Sequence, residues 1–322
     1  MTDGAVETLD LAWSDPALEV AVWAIVRGET QPAHDLLGAT HADADRRELY
    51  ATVLGEAGQQ RLTELRHDVN RDSEDADRWL LYGSALANAA WTARGADVAE
   101  NTTEDQIGGL IELTRQARGA LRQAITLRPG DPAALSVLLG CAHGVPEHPG
   151  EQQQLFAQAT SSAPLLFGAH VTMLSTLTRK WYGSQQQVLE FARERTGPLP
   201  DGHPLHALTA YAHIEGYLDG NMRGTFVGRV WRLARYFRDT SVRKEIDAGS
   251  DRMLATDKYA EHPRFIAAHQ AFAMVFHHAE DEQRSAPHLM RSGNRPAYWP
   301  WAYFGDPREE FAKAKRAAGL PS

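Results

Sequence analysis

The sequence predicts an all-α protein, built as an irregular α-solenoid of stacked antiparallel helix hairpins. Apolar residues recur at helical spacing along the chain, as in Ala207, Ala210, Ile214 and Leu218. Strand signals are missing, because β-branched residues seldom cluster or alternate with polar ones. Related segments also recur at a period of 33 to 35 residues, which is typical of helical-repeat proteins.

The beginnings and ends of the helices are marked as clearly as their faces. Asp15, Asp131 and Asp306 each precede a proline, an arrangement that predicts a capping carboxylate followed by proline at the first helical position. This spacing predicts about fourteen to seventeen short helices. Breaks that contain glycine or proline are predicted at 28–32, 144–149, 183–184, 197–203 and 219–221.

An internal repeat gives the architecture a register. Residues 164–177 align with residues 263–276 at an offset of 99, three periods of 33. The first helix of a tetratricopeptide (TPR) hairpin has a large, an apolar, a small and a large residue at fixed spacing, a pattern met by Trp79, Tyr82, Gly83 and Leu86. The sequence therefore predicts an irregular TPR-like superhelix over 75–322, with an acidic helical extension at 1–74 packed on the array.

Composition excludes several classes of function. The chain has 33 basic and 42 acidic residues, and residues 1–105 alone hold 21 acidic and 8 basic ones, which argues against a nucleic-acid partner. The single cysteine, Cys141, can form neither an internal disulfide nor a thiolate metal cluster. The first ten residues lack a signal peptide, and no stretch reaches the roughly 18 apolar residues of a membrane span. We expect a cytoplasmic protein with no metal, no cofactor and no membrane partner.

Histidines on predicted first helices are candidate ligand-binding residues. His170, His206, His213 and His269 lie on helices that line the concave face of a TPR superhelix, and imidazole can bind metals or transfer protons near neutral pH. Packing is the alternative, because His170 and His269 occupy the consensus position that Trp79 fills in another repeat. His206 and His213 are about 10 Å apart along one helix and cannot chelate one ion alone.

Aromatic and basic residues supply the other candidates. Trp181, Trp299 and Trp301 could form a stacking platform for a peptide or an apolar small molecule. Core packing is the interpretation that we favour for Trp181, and Trp299 and Trp301 remain open to both. Arg179 and Lys180 could hold a partner's carboxylate, or could complement a helix dipole.

Several segments resemble those of a family of actinobacterial proteins of unknown function with a TPR-like fold. The similarity covers residues 75–305, and Tyr182 stands where that family tends to have glycine. The resemblance implies a helical fold and no reaction, and no functional residues carry over from it. Trp91 and Arg94, which lie in one of its segments, are further candidate binding residues. Its segments are 91–95, 167–170, 179–184, 188–193, 268–274 and 299–303.

Together these patterns predict a non-catalytic module that binds a protein or peptide partner in the concave groove of the superhelix. No catalytic motif accompanies the repeat, so the sequence favours binding over catalysis. The alternative is an enzyme or small-molecule-binding protein with a cavity inside the solenoid, lined by histidine, tryptophan and arginine. Convergence of two or more of the candidate histidines would favour that alternative.

Overall fold

The computed structural model describes residues 12–94, 103–181, 183–221 and 235–321. These residues form fifteen α-helices and four short 3₁₀ turns, and they include no β-strand, which confirms the all-α prediction. None of the described helices combines the length and the hydropathy that a bilayer span requires.

The chain divides into two compact units, residues 1–173 and 174–322, called here the N-terminal and the C-terminal unit. The predicted division into an extension at 1–74 and an array at 75–322 stays a prediction. The first unit contains α1 (Pro16–Val26), α2 (Gln31–Gly38), α3 (Ala44–Gly58), α4 (Leu62–Arg71), α5 (Ala76–Arg94), α6 (Glu104–Leu127), α7 (Pro132–Gly144), α8 (Glu151–Ser162) and the first part of α9 (Phe167–Thr176). The second contains the end of α9, α10 (Gln185–Thr196), α11 (Leu208–Asn221), α12 (Thr240–Leu254), α13 (Phe265–His278), α14 (Glu282–Arg291) and α15 (Pro307–Ala317).

The predicted helix starts are confirmed at atomic detail. The carboxylate of Asp15 accepts hydrogen bonds from the backbone N–H groups of Ala17 and Leu18, and Asp131 and Asp306 cap α7 and α15 in the same way. Each carboxylate satisfies backbone donors that have no partner inside the helix. Four of the five predicted breaks separate helices, whereas α11 continues through the fifth as far as Asn221.

Helix α3 is the centre of the N-terminal unit. It packs against α1, α5 and α7, and ten of its fifteen residues are buried. The absence of a side chain at Gly55 permits the approach to α5, because a Cβ there would lie 2.6 Å from the Cβ of Ser84. Gly83 allows the same close approach between α5 and Leu121 of α6. Small residues thus set the spacing of α3, α5 and α6.

A buried ion network joins the ends of these helices. The Arg47 guanidinium, 1% exposed, donates to Asp131 at 2.6 Å and to Asp77 at 2.5 Å. It also donates to the carbonyl of Leu37 at 2.9 Å. Burial raises the pKa of the Asp77 carboxyl, but the charge and hydrogen bond of Arg47 together with those of His41 lower it overall. The charges are therefore retained inside the unit because each has a partner.

Helix α13 is the centre of the C-terminal unit. Eleven of its fourteen residues are buried, mostly alanine, phenylalanine and other apolar types. It packs against α11, α14, α15 and the 3₁₀ turn Pro204–Ala207. Such a helix is apolar all round because neighbours cover every face. Its polar residues, above all His269 and Gln270, therefore need partners inside the protein.

Candidate functional site

An open groove of about 420 Å³ lies on the N-terminal unit between α4, α5 and α6. Aromatic rings from the middle helix contribute to its lining, and polar side chains from the two outer helices flank them. Its main contributors are Arg66 and Asn70 on α4, Trp79 and Tyr82 on α5, and Arg115 and Gln116 on α6.

Local sequence signals fix the helices that form this groove. The Asp75 carboxylate accepts from the backbone N–H of Asp77 at 2.8 Å and so begins α5. Thr103 and Gln106 form a reciprocal capping box at the start of α6. The indole N–H of Trp79 donates to the carbonyl of Ser73 at 2.8 Å, which holds the ring in place beside the groove.

Some polar side chains of the groove are hydrogen-bonded within the protein, and others are not. On α6, Glu112 accepts hydrogen bonds from both Arg115 and Gln116. On α4 and α5, the side chains of Arg66, Asn70 and Tyr82 make no hydrogen bond, ion pair or ring contact with any residue that the structure describes. The Tyr82 hydroxyl retains access to solvent although the residue is only 9% exposed. One cation, one amide and one hydroxyl are therefore available to a ligand.

The four candidate histidines do not converge on one point. His170 lies in the N-terminal unit, where its Nδ1 is 2.8 Å from the carbonyl oxygen of Leu166 and its ring packs edge-on against Phe156. The other three lie in the C-terminal unit, and each has its own partner. Within the described ranges, no group of three or more His, Cys, Asp or Glu residues could hold a metal ion.

His206 and His213 are both buried and neutral at physiological pH. His206 Nε2 lies 3.1 Å from the carbonyl oxygen of Pro200, and burial lowers the pKa of His206 to about 4. His213 Nδ1 lies 3.3 Å from the Tyr236 hydroxyl, and its Nε2 is 3.6 Å from Glu245. Burial lowers the pKa of His213 despite that carboxylate. His206 lies on the 3₁₀ turn before α11, so the two residues do not share one regular helix.

His269 belongs to a buried chain of hydrogen bonds that the sequence did not reveal. Its Nδ1 lies 2.8 Å from His288 Nδ1, and His288 Nε2 lies 2.8 Å from the Ser250 hydroxyl. The serine and base have the order of a nucleophilic triad, but all three residues are completely buried, so a substrate has no path to the hydroxyl. Burial lowers the pKa of His269 to about 3 and that of His288 well below its usual value. The chain of hydrogen bonds therefore pairs His269 Nδ1, both ring nitrogens of His288 and the Ser250 hydroxyl in the core, while Nε2 of His269 has no partner among the described residues.

The basic pair before α10 lies on the 3₁₀ turn Arg179–Trp181. Lys180 Nζ is 3.2 Å from a carboxylate oxygen of Glu215, so its charge already has a partner within the unit. Arg179 is exposed and pairs with no carboxylate among the described residues. Trp181 is half-buried. The turn thus offers one available guanidinium rather than a two-cation clamp.

Trp299 and Trp301 have opposite environments. Trp301 is completely buried, whereas Trp299 is 45% exposed and packs between the rings of Tyr298 and Tyr303. The cause is Gln270, a completely buried residue of α13. Its side-chain amide holds the loop through the carbonyls of Ser292 and Arg295, the N–H of Ala297 and the indole N–H of Trp301.

The remaining candidates lie at the end of α5. The Trp91 ring is half-buried, with its centroid 6.0 Å from that of His143. It lies so close to Gly144 that a Cβ on that glycine would be 2.9 Å from the indole. Arg94 is the last residue of α5, and its side chain falls outside the described part of the structure, as does Tyr182.

Comparisons with protein-family models, with curated proteins and with solved structures gave no match. The resemblance of residues 75–305 to a TPR-like family therefore stays a prediction, and function has to be argued from the geometry of the chain.

Proposed function

We propose that the chain is a TPR-like helical-repeat protein that binds a peptide or protein partner without catalysis. The observation that carries this proposal is the set of unpaired polar groups beside the Trp79 and Tyr82 rings. Aromatic side chains give a binding surface contact area with little loss of conformational entropy, and arginine adds a directional charge. The groove between α4, α5 and α6 is the binding surface that we propose.

Charge and shape indicate the kind of partner. Helices α4 and α5 lie within residues 1–105, the most acidic part of the chain, yet the residues that line the groove include Arg66 and Arg115 and no carboxylate. An acidic segment with an apolar side chain fits this arrangement, because the apolar group can pack on Trp79 while a carboxylate reaches Arg66. The amide of Asn70 and the Tyr82 hydroxyl can bond the peptide backbone. None of these groups is an acid–base pair, which supports binding over catalysis.

Peptide selection followed by site-directed variants tests the proposal. The full-length protein is used to select peptides from a random display library, and affinities are measured by fluorescence anisotropy. We expect Arg66→Glu to weaken binding of the selected acidic peptides at least about tenfold, since it replaces an attraction by a repulsion. Tyr82→Phe, which removes one hydroxyl, should cost about fivefold.

Arg316→Glu is the matched control, because this exposed arginine lies on α15, outside the groove. It should change the dissociation constant less than about twofold. Failure to select any peptide, or equal weakening by Arg316→Glu and Arg66→Glu, would contradict the proposed groove.

The irregular superhelix is the architectural part of the same proposal. The close approach of Gly83 to Leu121 supports it, because small residues at this position allow the two helices of a TPR hairpin to pack closely. Small-angle X-ray scattering of the full chain tests it. We expect a radius of gyration clearly above about 20 Å, the value for a compact globule of this length. A value near about 20 Å would argue against an extended array.

A further inference from the structure

The C-terminal unit contains a solvent-open cavity of about 320 Å³ between α10, α11 and α12. Much of its wall is apolar, and seven of its twelve lining residues are alanine, glycine or threonine. Short side chains leave space between packed helices that larger ones would fill. The cavity is bounded by Leu189 and Ala192 on α10, Thr209 and Ala212 on α11, and Ala248 and Gly249 on α12.

His206 contributes a defined hydrogen-bond acceptor to this cavity. Its Nε2 lies 3.1 Å from the Pro200 carbonyl oxygen, and a carbonyl only accepts, so Nε2 carries the hydrogen. Burial lowers the pKa of His206 to about 4, and the ring is neutral near pH 7. Nδ1 therefore bears a lone pair, and it has no hydrogen-bond partner within the described ranges. The Thr209 hydroxyl, also at the wall, lacks a described partner as well.

The charged groups around the cavity are already paired. Arg193 on α10 donates to Glu245 on α12 at 3.1 and 2.6 Å. Arg252 donates to the carboxylate of Asp201 at 3.0 Å and to the carbonyl of Thr196 at 3.1 Å. A charged ligand would have to break one of these pairs to be neutralised. The cavity therefore favours a neutral molecule.

We propose that this cavity is a binding site for a small, neutral and mainly apolar molecule that carries one N–H or O–H donor. The walls supply apolar contact, and His206 Nδ1 accepts the donor. A mostly apolar pocket with a few unpaired polar groups is the usual form of a small-molecule site, and 320 Å³ lies at the small end of such sites. One or two fused rings fit this description. The site lies outside the proposed peptide groove and is independent of it.

Two matched probes test the proposal on the full-length protein. Indole has a ring N–H, and 1-methylindole has the same ring system without the donor. Titrations followed by ligand-observed saturation-transfer NMR should show saturable binding of indole. We expect 1-methylindole to bind at least about fivefold more weakly, because Nδ1 of His206 is left without its hydrogen bond.

Two variants assign the binding to this cavity. Ala248→Leu adds volume at an exposed position of the wall and should weaken indole binding at least about tenfold. Ala317→Leu makes the same change at an exposed position of α15 and is the control, which should leave indole binding unchanged. His206→Phe keeps an aromatic ring at this position and has no acceptor, so indole and 1-methylindole should then bind equally.

Three results would overturn the proposal. They are the absence of saturable indole binding, equal binding of the two probes to the unmodified protein, and equal indole binding by Ala248→Leu and Ala317→Leu. Because Ala248 is exposed, Ala248→Leu tests the site even where His206→Phe fails to fold.

Discussion

The two units handle buried polar groups in different ways. In the N-terminal unit many of the buried groups are ionised and paired, as with Arg47 between Asp77 and Asp131 and Arg118 beside Glu151. In the C-terminal unit they are mostly neutral imidazoles and amides, such as the His269–His288 pair. Pairing lowers the cost of taking a polar group from water in both units, although Nε2 of His269 and Nε2 of His278 have no hydrogen-bond partner among the described residues.

Because of this difference, we expect the stability of the two all-α units to depend on pH in different ways. A depressed histidine pKa means that the unfolded chain binds more protons than the folded one below about pH 6.5. The contribution of such a histidine to the free energy of unfolding is then fully present above that pH, and it is lost as the pH falls toward the pKa of the folded state. The pKa values of Asp68 and Asp77 are lowered. Their contribution to the free energy of unfolding is therefore fully present above about pH 4 and is lost only below it.

The largest expected effect is therefore the loss of C-terminal stability between pH 6.5 and 5. His206, His269 and His278, with pKa values of about 4, about 3 and about 4, each cost about 2 kcal/mol at pH 5 relative to pH 8. Their total is comparable to the whole stability of a domain, about 5 to 15 kcal/mol. Urea denaturation followed by circular dichroism at pH 8, 6.5 and 5 measures it.

His278→Phe sharpens this prediction. His278 stacks on the ring of Phe304 at 3.9 Å between centroids, so phenylalanine keeps the packing and removes the titrating group. We expect the pH slope of the unfolding free energy to fall by about 1.4 kcal/mol per pH unit within the window. An unchanged slope would show that His278 does not take up the proton on unfolding.

The next largest effect belongs to the ion network of the N-terminal unit. Arg47→Ala leaves Asp77 and Asp131 buried without their partner, and we expect a loss of about 3 to 5 kcal/mol. Unlike the histidine effect, this loss should be smaller at pH 6 than at pH 8, because burial, no longer opposed by Arg47, raises the pKa of the Asp77 carboxyl and favours its neutral form. Urea denaturation at both pH values measures it.

Arg115→Ala is the control for Arg47→Ala. Arg115 also pairs with a carboxylate, Glu112, but both are exposed, so the denaturation midpoint should not change. If Arg47→Ala lowered the free energy of unfolding as little as Arg115→Ala, the buried ion network would contribute no net stability. The proposed difference between the two units would then be contradicted for the N-terminal unit.

The surfaces of the units differ as their cores do. The groove of the N-terminal unit has unpaired polar groups, including Arg66, and favours a charged partner. The cavity of the C-terminal unit has paired charges around the neutral acceptor of His206, and favours a neutral one. Loss of peptide binding in Arg66→Glu with indole binding unchanged would support two separate sites.

Helices and their caps could be predicted from the sequence because they depend on neighbouring residues. Asp15 and Asp131 act on backbone groups two or three positions away, so a local pattern is sufficient. The sites depend on distant pairs. Arg47 and Asp131 are 84 positions apart, and Ser250 and His288 are 38 apart, and one sequence contains no signal that joins them.

Trp299 and Trp301 show the same limit on a smaller scale. The two residues share a sequence context, yet one is exposed and the other is fully buried. The buried side chain of Gln270 accepts a hydrogen bond from the Trp301 indole and so selects Trp301 for burial, and it lies 31 positions away in the sequence. Arg66 and Asn70 were missed for a related reason, because their availability to a ligand depends on the absence of partners from other helices.

Hydrogen exchange measured by mass spectrometry at pH 8 and pH 5.5, corrected for the intrinsic pH dependence of exchange, tests the contrast between the units most directly. We predict that protection falls strongly in α12, α13 and α14, which carry Ser250, His269 and His288, while α3, α5 and α7 around Arg47 keep theirs. The N-terminal unit contains His34, whose pKa burial also lowers, so we expect a small loss there. An equal loss in both units, or an earlier loss around Arg47, would contradict the assignment of acid sensitivity to the histidine core.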